Sequence, residues 1–297
     1  MSRPTILVTG KNGQVGFELQ RSLAALGEVV AVDVDDCDLT NTAAIVALVE
    51  TVKPNLIVNP AAYTAVDKAE TEADLAFAIN ATAPKVLAAQ ANLLQIPIIH
   101  YSTDYVFDGT KQGWYLEDDP TNPQSIYGKT KWQGEKNVRA LCSQHVILRT
   151  SWVFGVHGSN FLKTILKLAQ ERESLNVIAD QFGAPTSASL LAESAALIAK
   201  RLLQGEAVKF GTYHLVAGGE TTWHGYASKV VALANQLGVR TKVQAKDIKP
   251  IPTEAYPLPA PRPKNSKLST DKIRVAYGID IPDWSLDVEH VLKQVIA

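Results

Sequence analysis

A tyrosine and a lysine four residues apart, Tyr127 and Lys131 in "SIYGKTKWQGEK", are the first residues in this chain whose types and spacing could do chemistry. If the segment is helical, positions i and i+4 share a face. A phenol has a pKa near ~10, and an ammonium group beside it favours the phenolate and makes the phenol a better acid. Such a pair can protonate the oxygen of a ketone as hydride reaches its carbon. The same lysine can also hold the ribose of a nicotinamide cofactor. Just upstream, "HYSTDYVFDG" reads as the end of a strand, and Thr103 there offers a hydroxyl to the same ketone oxygen, or else simply caps the strand. YxxxK recurs by chance, so its weight depends on whether a hydride source has a place to sit.

The stretch "VTGKNGQVG" supplies one. Gly10, Gly13 and Gly16 fall between an apolar strand and a helical pattern. The first glycine permits a tight turn, the second lets backbone approach a pyrophosphate, and the third allows close packing of helix on sheet, with the phosphate at the helix N-terminus. The GxxGxxG spacing is the form seen in short-chain dehydrogenases; the bland alternative is a tight turn and nothing more. Asp33 closes the next strand, where a carboxylate can accept from an adenosine ribose and would repel a 2′-phosphate. Lys11, inside the loop, pulls the other way. NADH and NADPH both stay open.

These residues need a scaffold, and the pattern predicts one. "TILVTG", "VVAVD", "NLIVN", "PIIHYS" and "HVILRTSWVFG" read as strands. They alternate with helices over "QVGFELQRSLAALG", "AAIVALVETV" (capped by Thr40 or Asn41, stopped before Pro54), a long one over "LAFAINATAPKVLAAQANLL" strained near Pro84, and one beginning at "SIYGKTK". Alternation of this kind implies right-handed crossovers and a parallel sheet between helical layers, a Rossmann-type α/β fold. After about residue 155 the rhythm loosens. Helices over "NFLKTILKLAQE", "SLLAESAALIAKRLL" and "YASKVVALANQLG" are interleaved with short strands at "LNVIA" and "YHLVA", while "IPTEAYPLPAPRPKNS" is too proline-rich for helix or central strand. The expected division is a dinucleotide-binding domain over 1–154 and a smaller mixed α/β lobe for substrate over 155–297, some of whose segments return to the first domain.

With 46% apolar and 20% charged residues among 297, and a net charge of -1, the composition is that of an ordinary soluble protein, with no basic excess to recruit nucleic acid or an anionic membrane. Cys37 and Cys142 form no CxxC pair, which fits a reducing compartment. No leader or membrane span is legible, and a cytoplasmic location is expected. The histidines show no metal-ligand spacing.

The glycine loop, "NPAAYTAVDKAE", "YSTDYVFDG", "YGKTKWQGEK", "LRTSWVFG", "DQFGAPT", "YHLVAGGETTWHGYA" and "RPKNSKLST" together resemble the dTDP-4-dehydrorhamnose reductases, members of the extended short-chain dehydrogenases, nearly end to end. The resemblance implies NAD(P)H-dependent reduction of the C4 ketone of dTDP-4-dehydro-L-rhamnose to dTDP-L-rhamnose, for cell-surface polysaccharide. It makes Thr103, Tyr127 and Lys131 the catalytic set. It matches Gly13, Gln14, Val15, Asp33, Asp38, Leu39, Ala61, Ala62 and Tyr63 to cofactor positions. Asp104 and Trp152 match sugar-contacting positions, though Trp152 also reads as core, and Arg262 and Asn265 face the nucleotide. Some members of the family resemble dimers bridged by magnesium through three glutamates. Here those positions are Glu18, Ser189 and Gln294, and a hard cation wants several oxygen ligands, preferably carboxylates. The expectation is therefore no essential metal, and a monomer or weak homodimer. Two rivals share the resemblance: a sugar-nucleotide dehydratase or epimerase, whose dehydratases carry Asp-Glu after the threonine where this chain has Asp104-Tyr105, and a non-catalytic regulatory subunit of the methionine adenosyltransferase type.

Overall fold

A computed structural model describes residues 3–297. The first half lays down β1 (Thr5–Thr9), α1 (Gln14–Leu23), β2 (Glu28–Val32), α2 (Thr42–Val52) and β3 (Leu56–Asn59). Next come α3 (Val66–Ala69), α4 (Ala73–Phe77), α5 (Ala83–Leu93), β4 (Ile98–Thr103), α6 (Ile126–Leu141) and β5 (His145–Thr150). The rest consists of β6 (Val153–Phe154), α7 (Phe161–Glu171), β7 (Leu175–Ile178), β8 (Phe182–Gly183), β9 (Thr186–Ser187) and α8 (Ala188–Leu203). These are followed by β10 (Gly211–His214), β11 (Thr221–Thr222), α9 (Trp223–Gln236), β12 (Ile248–Ile251), α10 (Asp271–Tyr277) and α11 (Trp284–Ile296).

Six strands form the central sheet in the order β10-β5-β4-β3-β1-β2, and every neighbouring pair is parallel. The chain winds outward from β1 to β2, then reverses and continues from β3 on the other side. That reversal splays the connections leaving β1 and β3, so a crevice opens at the carboxyl ends of those strands. One face of the sheet is covered by α1, α8 and α10, through residues such as Leu19, Leu23, Leu191, Ala195, Ile198 and Ile273. The other face is covered by α2, α5 and α6, through Ile45, Val49, Leu87, Ala91 and Val138. A separate apolar cluster joins α7, α9 and α11 with β7. The C-terminal half thus contributes both a covering helix, α8, and the edge strand, β10, to the first sheet.

Local chemistry explains most boundaries. Asn41 caps α2, its Oδ1 accepting from the amides of Ala43 and Ala44 at 3.1 and 3.2 Å, and Lys53 ends the helix in the left-handed region at φ 47°. Ser125 caps α6 by accepting from the Gly128 amide at 3.1 Å. Two expectations need correction. The single helix over residues 75–94 is broken by a π-turn at Ala78–Thr82. Pro84 has no N–H to give the Asn80 carbonyl, so the chain takes a wider turn there. The fifth strand does not run through "HVILRTSWVFG". Trp152 sits at φ 49°, which breaks the strand and sends β6 off to pair with β9.

The tightest constraint in the fold is at the glycine loop. A Cβ on Gly16 would lie 1.9 Å from the Gly10 carbonyl oxygen, and Gly10 itself has φ +64°. Backbone atoms are the obstacle, so no rotamer change relieves the clash. Gly16→Ala is therefore expected to destabilise the protein by at least the ~1–3 kcal/mol typical of overpacking, seen as a lowered midpoint in urea with an unchanged slope.

Candidate active site

A cavity of about 720 Å³ lies over the carboxyl ends of β1, β3 and β4. Its floor is the glycine loop, and of the residues singled out in the sequence it gathers Gly10, Gly13, Gln14, Val15, Gly16, Asp33, Asp38, Leu39, Ala61, Ala62, Thr103, Asp104, Tyr127, Lys131 and Trp152. Gly10 and Trp152, 142 positions apart in the chain, therefore face one space. Tyr63, Arg262 and Asn265 are not part of its lining. The Tyr63 amide donates to Asn80 Oδ1 at 2.8 Å and its phenol to Glu72. Arg262 pairs with Asp67 at 2.7 Å. Asn265 donates to the carbonyls of Lys111 and Gly113, both at 2.7 Å, and so shapes that loop. Sequence reading missed Gly158 and Ser159, which also line the cavity. They follow no motif and arrive only because Asn160 donates to Gln14 Oε1 at 3.0 Å and the His157 ring bonds the Asn12 carbonyl at 2.9 Å.

At the β2 end, Asp33 accepts from the amides of Asn12 at 2.9 Å and Val34 at 2.8 Å. It thereby ties the glycine loop to the strand end while lining the cavity. Lys11 does not line the cavity. Its ammonium pairs with Asp36 at 2.6 Å, which keeps that carboxyl below its ordinary pKa. The bare Cα positions at Gly10 and Gly16, the start of α1 and the volume of the cavity fit a dinucleotide with its pyrophosphate over the loop.

The opposite wall carries the proton chemistry. Lys131, on α6, is buried and donates to the Tyr101 carbonyl at 2.7 Å. Burial pulls its pKa down to about 8, against the opposing pull of Glu135. Thr103 Oγ1 donates to Asp104 Oδ1 at 3.0 Å and accepts from the Tyr105 amide at 3.2 Å. Tyr127 is enclosed by protein apart from the cavity itself, and burial pushes its phenol up to about 12; the Thr103 hydroxyl works against this rise and the Asp104 charge adds to it. The expected lowering of this phenol by Lys131 is thus not what the structure shows: burial is the largest influence on it, and the group that lowers it is Thr103, not Lys131. Asp104 is buried and pushed up to about 6, chiefly by burial, with Ser266 and Thr103 pulling the other way; its Oδ2 has no partner.

Trp152 forms the far side. Its left-handed backbone is costly for a non-glycine residue, and the ring is fixed by stacking on Trp223, with centroids 3.7 Å apart and planes 17° apart. Gly183 makes room, since a Cβ there would lie 2.9 Å from Trp152 Cε2. A second cavity of about 270 Å³ brings Glu18, Ser189 and Gln294 together with Asp280 and Asp287. Among the described residues, no three His, Cys, Asp or Glu side chains group as a metal site. Among the described residues, too, no helix is long and apolar enough to cross a membrane.

Residues 4–297 match the model of the RmlD substrate binding domain family. The chain belongs to this family. It is 47% identical over 296 residues to the dTDP-4-dehydrorhamnose reductase of Shigella flexneri, covering 98% of each chain. A solved dTDP-4-dehydrorhamnose reductase from Clostridium acetobutylicum superposes with a TM-score of 0.89 at 37% identity, covering 99% of this chain and 100% of the other. The Bacillus anthracis family member, solved in complex with NADP, gives the same TM-score and coverage at 34% identity.

Asp104 generates a prediction about stability. Its folded pKa lies above the unfolded value of 3.8, so the stability it contributes is fully present below about 4 and is lost as pH rises through about 6. Asp104→Asn removes that titration. The variant's stability relative to wild type is expected to grow between about pH 4 and 6, by about 3 kcal/mol, and to stay level above, as read from urea denaturation across pH.

Proposed function

We propose that this chain reduces the C4 ketone of dTDP-4-dehydro-L-rhamnose to dTDP-L-rhamnose, with NADPH or NADH as the reductant. The observation that carries the proposal is that one cavity holds a dinucleotide-binding glycine loop on one wall and Thr103, Tyr127 and Lys131 on the other, in a chain that matches the reductases end to end. The NADP bound to the Bacillus anthracis relative supports the nature of the cofactor.

A bound reduced nicotinamide supplies the hydride that C4 receives. Everything else falls to the protein. Tyr127 Oη and Thr103 Oγ1 hold the ketone oxygen, and Tyr127 gives it a proton as negative charge develops there, so that C=O becomes CH–OH. A neutral phenol is the right starting form for a donor, and burial keeps it neutral across the physiological range. The remaining phenolate is stabilised by the Lys131 cation, which is retained below about pH 8. The Trp152 ring gives the sugar an apolar face, and Asp104 a hydrogen-bonding carboxyl.

The residue after Asp104 favours simple reduction over dehydration. Tyr105 sets its ring edge-on to Tyr127, with centroids 5.3 Å apart, and burial raises its own phenol further. It therefore braces the proton donor and offers no second carboxyl to expel water.

The deciding assay incubates the protein with NADH or NADPH and the dTDP-4-keto sugar, following cofactor oxidation and identifying the sugar formed. Consumption of cofactor with appearance of dTDP-L-rhamnose is expected. No oxidation with any sugar nucleotide, together with a tight protein partner, would establish the regulatory-subunit alternative. Tyr127→Phe keeps the ring's packing and removes only the proton donor, so kcat should drop about 10²–10⁴-fold with cofactor affinity preserved in a fluorescence titration. Asp33→Ala should move the ratio of kcat/KM for NADPH over NADH upward by about tenfold, equivalent to ~1.4 kcal/mol. An unchanged ratio would place the ribose away from Asp33.

A further inference from the structure

Behind the proton-delivery wall lies a charged group that no part of the mechanism above uses. Glu135 is wholly buried on α6, one helical turn beyond Lys131. Its Oε1 accepts from Ser102 Oγ at 2.6 Å and from Arg149 Nε at 2.8 Å. Its Oε2 accepts from Arg149 Nη2 at 2.8 Å and from Arg139 Nη1 at 3.0 Å. Ser102 immediately precedes Thr103, and the Tyr101 carbonyl that receives the Lys131 ammonium comes one residue earlier. Arg149 lies on β5, opposite Ser102 in the parallel register. A single carboxylate therefore ties the helix that carries Tyr127 and Lys131 to the strand end that carries Thr103.

We propose that Glu135 is a positioning residue for the reduction, fastening α6 to the end of β4 and holding the charge of Lys131 in register with Thr103 and Tyr127. The inference rests on the reading of Thr103, Tyr127 and Lys131 as the proton-delivery set. Two physical arguments support it. A carboxylate removed from water is tolerated only when its lone pairs are filled and its charge is matched, and here four donors from three elements converge, so the geometry is over-determined. Glu135 also stands where its charge opposes the desolvation of Lys131 and raises the pKa of that lysine.

Other charged and titratable groups frame the pair. Tyr127 and Arg139 lie on α6, His100 on β4 with Asp104 just past its end, and Arg149 on β5; Glu117, His214 and Lys272 lie near Arg149. Burial and the nearby Lys131 keep His100 well below its ordinary pKa, and burial and Arg149 do the same for His214. Both rings are neutral and supply no competing charge.

The test reads Lys131 directly. The side-chain resonance of Lys131, assigned by its loss in Lys131→Arg, is titrated by NMR in the full-length protein, alongside the pH dependence of kcat. In Glu135→Gln the lysine pKa should fall by about one pH unit, and the basic limb of kcat should move down with it while KM for the cofactor changes less. Arg149 loses its partner in that variant, so Arg139→Gln provides a second arm that leaves the buried pair intact. Arg139 is partly exposed, and its removal leaves Glu135 a stronger counter-charge, so the same two readouts should move upward. A Lys131 pKa unmoved in both variants overturns the proposal and leaves the proton-delivery set standing. A pKa that moves without the kcat limb following overturns it from the other side, since Lys131 would then lie outside the rate-determining chemistry.

Discussion

The close approach of α1 to β1 is the constraint on which the rest of the structure turns. Gly16 lies so near the Gly10 carbonyl that only a hydrogen fits where a side chain would stand. That contact aims the first helical amides into the crevice beside β3. It also fixes α1, and with it α8, on one face of the sheet. The floor of the cavity and the packing on one face of the sheet therefore follow from one backbone-to-backbone approach. The opposite wall is set by a comparable approach. A Cβ on Gly134 would lie 2.2 Å from the Asn80 carbonyl, so α6 can press against the π-turn and bring Tyr127 and Lys131 over the strand ends.

The chemistry of the site depends on how much charge the fold is willing to bury there. Lys131, Asp104 and Glu135 are all buried, yet their ionisations are pushed in different directions. Lys131 is made easier to deprotonate and Asp104 harder. Glu135 stays ionised, because Arg149 and Ser102 overcome the burial that would otherwise raise it. Divergent shifts among neighbouring groups are the usual mark of a working site. They also cost stability, as does the left-handed backbone of Trp152. The two large apolar faces of the sheet offset that cost.

How far the sequence carries this picture is clearest residue by residue. The sheet, the glycine loop and the Tyr127–Lys131 pair were legible because each depends on local rules: the periodicity of apolar residues, the steric freedom of glycine, and helical i, i+4 spacing. Asn41 and Ser125 as caps follow from the same kind of rule. End-to-end similarity to the reductases then pointed to further lining residues, including Asp38, Ala61 and Ala62, which have no chemical signature of their own.

What the sequence could not decide is set by contacts between distant segments. Trp152 reads equally as core or as ligand contact, and only its stacking on Trp223, 71 positions away, places it at the cavity. Arg262 and Asn265 have the right chemistry for a nucleotide, but Asp67 and the 111–113 loop engage them first. Gly158 and Ser159 enter the lining through the contacts of His157 and Asn160 with the glycine loop. The pKa of Tyr127 could not be read from its spacing to Lys131, because desolvation depends on everything packed around the phenol. Sequence by itself determined which groups were available and which secondary structures would carry them, since those depend on near neighbours in the chain. Their ionisation, their partners and the space they share were decided by tertiary structure, because burial and hydrogen bonding are properties of the assembled neighbourhood.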